Sequence, residues 1–283
     1  RIPGLELKKI YSYRIANIYN SQAMKIISNM NLDLIHVQTE ASIGLLGRIA
    51  AKKSKIPLVY TYHTMYEDYT YYVTKGNGFF DHFAKKIVRY LSRNLAENTT
   101  EFISPSTKTK DIMRDYGVDS YINIVPTGID FSKYKKENID NEKLNNLRKQ
   151  YNLDDNYVIL SLGRVAKEKS IDICIKGFKH LIDEKNIKVK FLIVGDGPEL
   201  NELKKLVHDM ELDKYVIFAG SVMANEVPLY YRLANLFVSA SITETQGLTF
   251  MEAMASSIPI LARFDENLVD VVTDNETGFY FSE

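Results

Sequence analysis

The chain has 283 residues, 45% hydrophobic and 25% charged, with 36 Lys+Arg balanced by 36 Asp+Glu. That length calls for one large or two medium domains. The composition excludes global disorder, and the charge balance gives no footing for nucleic acid as a partner, so any basic surface must be local. A single cysteine, Cys174, excludes a disulfide framework and a Cys-based metal site, which fits a reducing compartment. No apolar run is long enough to span a bilayer.

Short apolar runs alternate with helical patterns along the chain, which predicts α/β architecture with parallel sheets covered by helices. In the first half the expected strands are Asp33–Val37, Pro57–Thr61, Glu101–Ser104 and Tyr121–Val125. Between them, helices are expected over Ile15–Asn29, Ile43–Lys53, Phe79–Ala96 and Lys108–Tyr116. From Thr127 to Asn156 the composition shifts to Lys, Asn, Asp and Glu, the pattern of a linker carrying a short helix. A second βα series follows, with strands Val158–Leu162, Lys190–Val194, Tyr215–Phe218, Leu236–Val238, Pro259–Leu261 and Gly278–Phe281. The division predicted is a domain over 1–130, a linker over 131–156 and a domain over 157–283. A chain that starts at Arg1 and stops just after an apparent strand reads as a fragment, truncated at both ends.

Two doubly wound domains would bind ligand at the carboxyl ends of their strands. The informative polar residues fall at such ends: His63, Arg164, Gly195-Asp196-Gly197 and Glu244. The richest stretch is Ser239–Ala255, a buried strand running into a polar turn and then a helix that starts near Gly247. Helix starts present unpaired amides and partial positive charge, which suits a phosphate. Glu244 and Glu252 bracket this one, an arrangement that suits sugar hydroxyls on either side of a pyrophosphate. Acids complementing the helix dipole are the plainer explanation of the pair.

Gly163-Arg164-Val165-Ala166-Lys167-Glu168-Lys169 offers a sharp strand exit with a forked donor, Arg164, and a mobile point charge, Lys169. It fits a diphosphate site or a solvated basic loop. His63, set among Tyr60, Tyr62 and Tyr66, is either a hydrogen-bonded strand-end residue or a site residue. Gly195-Asp196-Gly197-Pro198 reads as a tight turn in which Gly195 could bring backbone to a ligand. Phe79–Arg93 combines an apolar stripe (Phe80, Phe83, Ile87, Leu91) with Lys85, Lys86, Arg89 and Arg93. Such a helix can rest on an anionic membrane surface or simply expose a basic face in solvent. Five histidines, one cysteine and no Asp-x-Asp give no ligand cluster, so neither metal nor cofactor is expected.

Taken together, Gly163–Lys169, Val194-Gly195-Asp196-Gly197-Pro198, Pro126-Thr127-Gly128-Ile129-Asp130 and the glutamate pair resemble the retaining glycosyltransferases of family 4, which have the two-domain GT-B fold. Within that family the chain is most similar to bacterial diacylglycerol glucosyltransferases. The marks of that subgroup are Tyr62-His63-Thr64-Met65-Tyr66-Glu67-Asp68-Tyr69, Glu244–Thr249 and Arg263-Phe264-Asp265-Glu266-Asn267-Leu268. The resemblance implies two Rossmann-like domains facing a cleft. It implies Arg164 and Lys169 on the donor pyrophosphate, Glu252 on the ribose, and Glu244 on the sugar with main-chain donors from Thr245, Gln246, Gly247 and Leu248. His63 would lie over the sugar ring. The activity implied is transfer of glucose from UDP-glucose to diacylglycerol, by an enzyme peripheral on the cytoplasmic face of the cell membrane. A soluble glycan acceptor, a non-catalytic nucleotide-sugar-binding module and a sugar-nucleotide epimerase are the alternatives. The family's first strand and glycine-rich loop would precede Arg1, and its returning C-terminal segment would follow Glu283. Ser257 stands where the family usually has glycine.

Overall fold

A computed structural model describes residues 4–7, 13–40, 42–70, 74, 78–185, 187–269 and 271–282. The chain divides into two compact units, Arg1–Thr127 and Gly128–Glu283.

In the first unit, β1 (Gly4–Leu7) and β2 (Tyr13–Ala16) form an antiparallel pair. Helix α1 (Ser21–Ser28) starts later than the sequence pattern predicts. The backbone over Tyr13–Ala16 is committed to strand pairing, and Asn20 caps the helix by accepting from the Ala23 amide at 2.8 Å. The parallel sheet follows in the order β3 (Ile35–Val37), β4 (Leu58–Thr61), β5 (Glu101–Ser104) and β6 (Ile122–Ile124). Its connecting helices are α2 (Ile43–Ser54), α3 (Gly78–Glu97) and α4 (Thr107–Asp115). Tyr60, Tyr62, Phe102 and Met113 are the large, fully buried side chains at its centre.

The second unit carries a six-stranded parallel sheet in the order β12-β11-β10-β7-β8-β9, formed by β7 (Tyr157–Leu162), β8 (Val189–Val194), β9 (Val216–Gly220), β10 (Leu236–Ser239), β11 (Ile260–Arg263) and β12 (Gly278–Phe281). Both faces are covered, so the strands read as nearly continuous apolar runs, and successive residues alternate between two cores. Val158, Leu160, Leu192 and Val194 pack on one side with α8 (Val227–Leu233) and α9 (Leu248–Ala255). Phe191 and Ile193 pack on the other with α6 (Ile171–Glu184) and α7 (Leu200–Asp209). Cys174 is buried in that second core, where desolvation pushes its thiol up to about 12. The segment 131–156 belongs to this unit. It forms two short 3₁₀ turns and α5 (Asn141–Gln150), and it sends Tyr134 and Leu153 into the core.

Strand β7 is the first of its unit, yet it lies between β8 and β10. The chain winds one way through β8 and β9, then returns to start β10 on the opposite side. The carboxyl ends of β7 and β10 therefore form the switch point of the sheet, where a doubly wound fold opens a crevice.

Candidate active site at the sheet switch point

The loops leaving β7 and β10 build one cavity of about 140 Å³. From β7 and the loop after it come Ser161, Leu162, Gly163, Arg164 and Lys169; Ile171 and Val194 close one side. Ser239 and Glu244 come from β10 and its loop, and Thr249 from the first turn of α9. Lys169 Nζ lies 2.7 Å from Glu244 Oε1, and Arg164 is paired with Glu168 at 2.5 Å. Both acids are well shielded, with side chains 5% exposed for Glu168 and 12% for Glu244, whereas the cations keep about a third of their surface in solvent. The cavity thus has cations reaching inward, each steadied by a carboxylate behind it.

Two glycines make this geometry possible. Gly195 has φ +136°, and a Cβ there would lie 1.8 Å from the Gly163 carbonyl oxygen. Its amide donates to the Gly220 carbonyl at the end of β9 at 2.8 Å, so Gly195 ties the β8 exit to β9 while its missing side chain lets the β7 exit approach. Gly247, at φ +72°, is the N-cap of α9, and a Cβ would press on Leu268 and Phe250. Thr245, Gln246 and Gly247 form the turn that leads from Glu244 to Leu248, the first residue of the helix. Glu252 follows Thr249 by one turn on the same helical face. Its carboxylate accepts from Tyr134 Oη at 2.6 Å and from Tyr231 Oη at 3.0 Å. The structure therefore brings Arg164, Lys169 and Glu244 together, with Glu252 one turn along from the wall. Ser161, Ser239, Thr249, Tyr134 and Tyr231 were not legible as site residues, because small hydroxyls at strand ends and tyrosines in helices carry no motif.

His63 belongs to the first unit, just beyond β4. Its Nε2 is 3.2 Å from Gln38 Oε1, while His36 Nε2 is 2.7 Å from Thr61 Oγ1. Desolvation, and then repulsion from His36, hold the His63 imidazole below its ordinary pKa, so it is neutral at pH 7. Beside these lies Glu40, which sequence reading passed over. It accepts from Tyr60 Oη at 2.5 Å, and burial raises its carboxyl although the tyrosine hydrogen bonds work the other way.

Helix α3 is amphipathic in an inverted sense. Its buried residues are Ser92 and Ala96, while Phe79, Phe80, Phe83, Ile87, Tyr90 and Leu91 are exposed, Phe79 by 81%. The expected basic residues are mostly engaged with acids: Lys85 with Asp81 of the same helix at 3.0 Å, and, from other elements, Arg93 with Asp119 at 3.6 Å and Arg89 with Glu67 in a fork at 3.0 and 2.5 Å. Tyr116 also donates to Glu67 at 2.7 Å. Burial would raise the Glu67 carboxyl, but the Arg89 and Tyr116 hydrogen bonds and the Arg89 charge outweigh it and hold it below the usual value. Arg89 is thus an anchor of the helix to its own unit. Among the described residues no helix is long and apolar enough to cross a membrane, and no group of three or more His, Cys, Asp or Glu side chains is placed to hold a metal ion.

The sheet is a doubly wound α/β unit with paired cations and carboxylates at its switch point, the place where such folds take their ligands. Residues 1–133 match the family model described as Glycosyltransferase Family 4, and residues 144–283 match that described as Glycosyl transferases group 1. The chain is 38% identical to the alpha-monoglucosyldiacylglycerol synthase of Streptococcus pneumoniae, covering 100% of this chain and 64% of that protein. To the synthase of the same name from Acholeplasma laidlawii it is 35% identical, covering 100% and 72%. The chain belongs to glycosyltransferase family 4, and it spans about two thirds of the length of these relatives. Among solved structures, Anabaena Alr3699/HepE in complex with UDP-glucose shares the fold at TM-score 0.75, with 21% identity over 91% of this chain and 67% of that one. The sucrose-phosphate synthase of Thermosynechococcus elongatus does so at TM-score 0.67, with 19% identity over 96% and 68%. The fold is GT-B, built from two parallel-sheet α/β domains.

Proposed function

We propose that this protein transfers glucose from UDP-glucose to diacylglycerol with retention at the anomeric carbon, working at the cytoplasmic surface of the membrane. The observation that carries the reading is the cavity at the β7–β10 switch point, where Arg164, Lys169 and Glu244 meet at a helix start, in a chain with this similarity to two monoglucosyldiacylglycerol synthases. In this reading Arg164 and Lys169 neutralise the pyrophosphate and the charge that grows on departing UDP, which is where preorganised cations lower the barrier. Glu252 takes the ribose. Glu244 takes the sugar, with main-chain donors from the turn Thr245–Leu248, and Gly195 is assigned a backbone contact to the donor. His63, neutral at pH 7, is assigned to the reacting centre. No metal is assigned, because the two cations supply the positive charge that a divalent ion would otherwise bring.

For the lipid surface, the supporting observation is the exposed apolar face of α3 beside Lys86. Such a face gains by entering the headgroup boundary, and each nearby basic residue adds about 1 kcal/mol on an anionic surface. Lys85, Arg89 and Arg93, paired within the unit, contribute less.

The test is transfer from radiolabelled UDP-glucose to diacylglycerol in mixed vesicles, with and without a chelator. The expected product is the α-glucolipid, formed equally in EDTA. Transfer only to water-soluble sugars would remove the lipid acceptor; UDP binding without turnover would leave a binding module.

A further inference from the structure

Glu252 is held more firmly than a surface glutamate on a helix should be. Each of its carboxylate oxygens receives a phenol: Tyr134 Oη at 2.6 Å on Oε1 and Tyr231 Oη at 3.0 Å on Oε2. The phenols come from different places, Tyr134 from the 3₁₀ turn Phe131–Tyr134 and Tyr231 from α8. Both rings are fixed: Tyr134 is 3% exposed and Tyr231 is fully buried, and they meet edge to face at 6.0 Å. Tyr231 also stacks on Phe237 of β10, which in turn packs edge to face on Phe250 of α9. An aromatic column rooted in the core therefore ends on one carboxylate. Tyr231 Oη is in addition 2.9 Å from the Thr249 carbonyl, which ties the same phenol to the helix turn that lines the cavity.

A carboxylate offers about four lone-pair positions. Two are taken by the phenols, and Glu252 itself remains partly exposed, which leaves two positions for a ligand to fill. A rigid acceptor with two adjacent lone pairs suits a vicinal diol, whose two hydroxyls are both donors. Burial, and after it the hydrogen bond to Glu252 and its charge, raise both phenols above their ordinary range, so neither loses its proton at working pH.

We infer that Tyr134 and Tyr231 are positioning residues for Glu252: by filling one lone pair on each oxygen they lock the carboxylate in the rotamer that receives both ribose hydroxyls, and so make the site discriminate ribonucleotide from deoxyribonucleotide. The inference rests on the assignment of Glu252 to the ribose made above. Deleting a hydroxyl from a buried tyrosine leaves the aromatic column intact, so Phe is the informative replacement.

The experiment measures binding of UDP, 2′-deoxy-UDP and 3′-deoxy-UDP to the full chain by calorimetry, with steady-state kinetics and melting temperature alongside. In the unaltered protein UDP binds more tightly than either deoxy form. In Tyr134→Phe the UDP Kd and the donor KM rise about tenfold, kcat stays within about twofold, and the deoxy forms bind as before, so the preference for ribose collapses. Tyr231→Phe behaves alike but more weakly, since its proton has a second acceptor. Equal weakening of all three nucleotides, or a lower melting temperature with the ribose preference intact, overturns the inference while leaving the ribose assignment standing. If Glu252→Gln itself leaves UDP affinity and ribose preference unchanged, the assignment fails and the inference with it.

Discussion

Lys169 and Glu244 are 2.7 Å apart although 75 positions separate them in sequence, because β7 and β10 are neighbours in the sheet. Lys169 projects from the loop after β7 and Glu244 from the loop after β10. Under the proposed function, an anionic ligand entering this cavity would compete with Glu244 for the lysine and, on winning it, would release a carboxylate oxygen for sugar hydroxyls.

Replacing Glu244 with Gln should therefore separate binding from transfer. UDP affinity is retained or rises, since the competitor has lost its charge, while glucosyl transfer falls at least about tenfold. Lys169→Ala should weaken UDP binding by about tenfold or more, the worth of one charge-assisted hydrogen bond. It also removes the ion pair to the well-shielded Glu244. Calorimetry with UDP and a turnover assay check both; unchanged UDP affinity in Lys169→Ala would remove the pyrophosphate assignment.

Along α3 the basic residues should divide into two classes. Arg89→Ala breaks the fork to Glu67 and, with half of the arginine side chain screened by solvent, costs roughly 1 kcal/mol of stability, read as a lower urea midpoint. Lys86→Ala leaves the midpoint unchanged but reduces sedimentation with anionic vesicles. Changing Phe79 and Phe83 to Ser, both well exposed, should abolish vesicle binding while the protein stays folded. Equal vesicle binding by all these variants would make the helix purely structural.

Glu40 gives a pH dependence of definite sign. Burial raises its carboxyl in the folded chain, so between the ordinary glutamate range and that raised value the native state holds a proton which the unfolded chain has lost. Stability contributed at this site is present at acid pH and is lost as pH rises through that window. Glu40→Gln should therefore slow hydrogen exchange of the Leu58–Thr61 amides at pH 7 and have less effect at pH 4. A slower exchange at pH 4 only would contradict the sign.

Ser257 adopts φ +58° in the turn between α9 and β11, a left-handed conformation that an L side chain occupies at a cost. Ser257→Gly relieves that strain but adds freedom to the unfolded chain, and the balance should stabilise the protein by up to about 1 kcal/mol. A scanning calorimeter decides it, since a lower melting temperature would show that the serine hydroxyl matters more than the backbone.

The sheet strands were legible because parallel, doubly covered strands such as Val189–Val194 read as apolar runs between polar turns. Gly163–Lys169 and Glu244–Glu252 were legible because charge and glycine recur at strand exits. Helix α1 was misjudged at its start, where apolar spacing suits a helix but pairing with β1 claims the backbone of Tyr13–Ala16. The orientation of α3 was hidden too, since an apolar stripe at helical spacing looks the same whether it faces a core or solvent. Nor could the partners of Arg89, Glu252 and Glu40 be found by motif: they depend on tyrosines and acids that only the fold brings near.

The crossover that sets β10 alongside β7 has a thermodynamic corollary. Neither loop, cut out as a peptide, retains the Lys169–Glu244 contact, so the cavity exists only while the sheet of residues 128–283 is intact. Under the proposed function, folding of that half and occupancy by nucleotide would then form a single linked equilibrium. A nucleotide present at a hundred times its dissociation constant would hold the sheet together by about a further 2.7 kcal/mol.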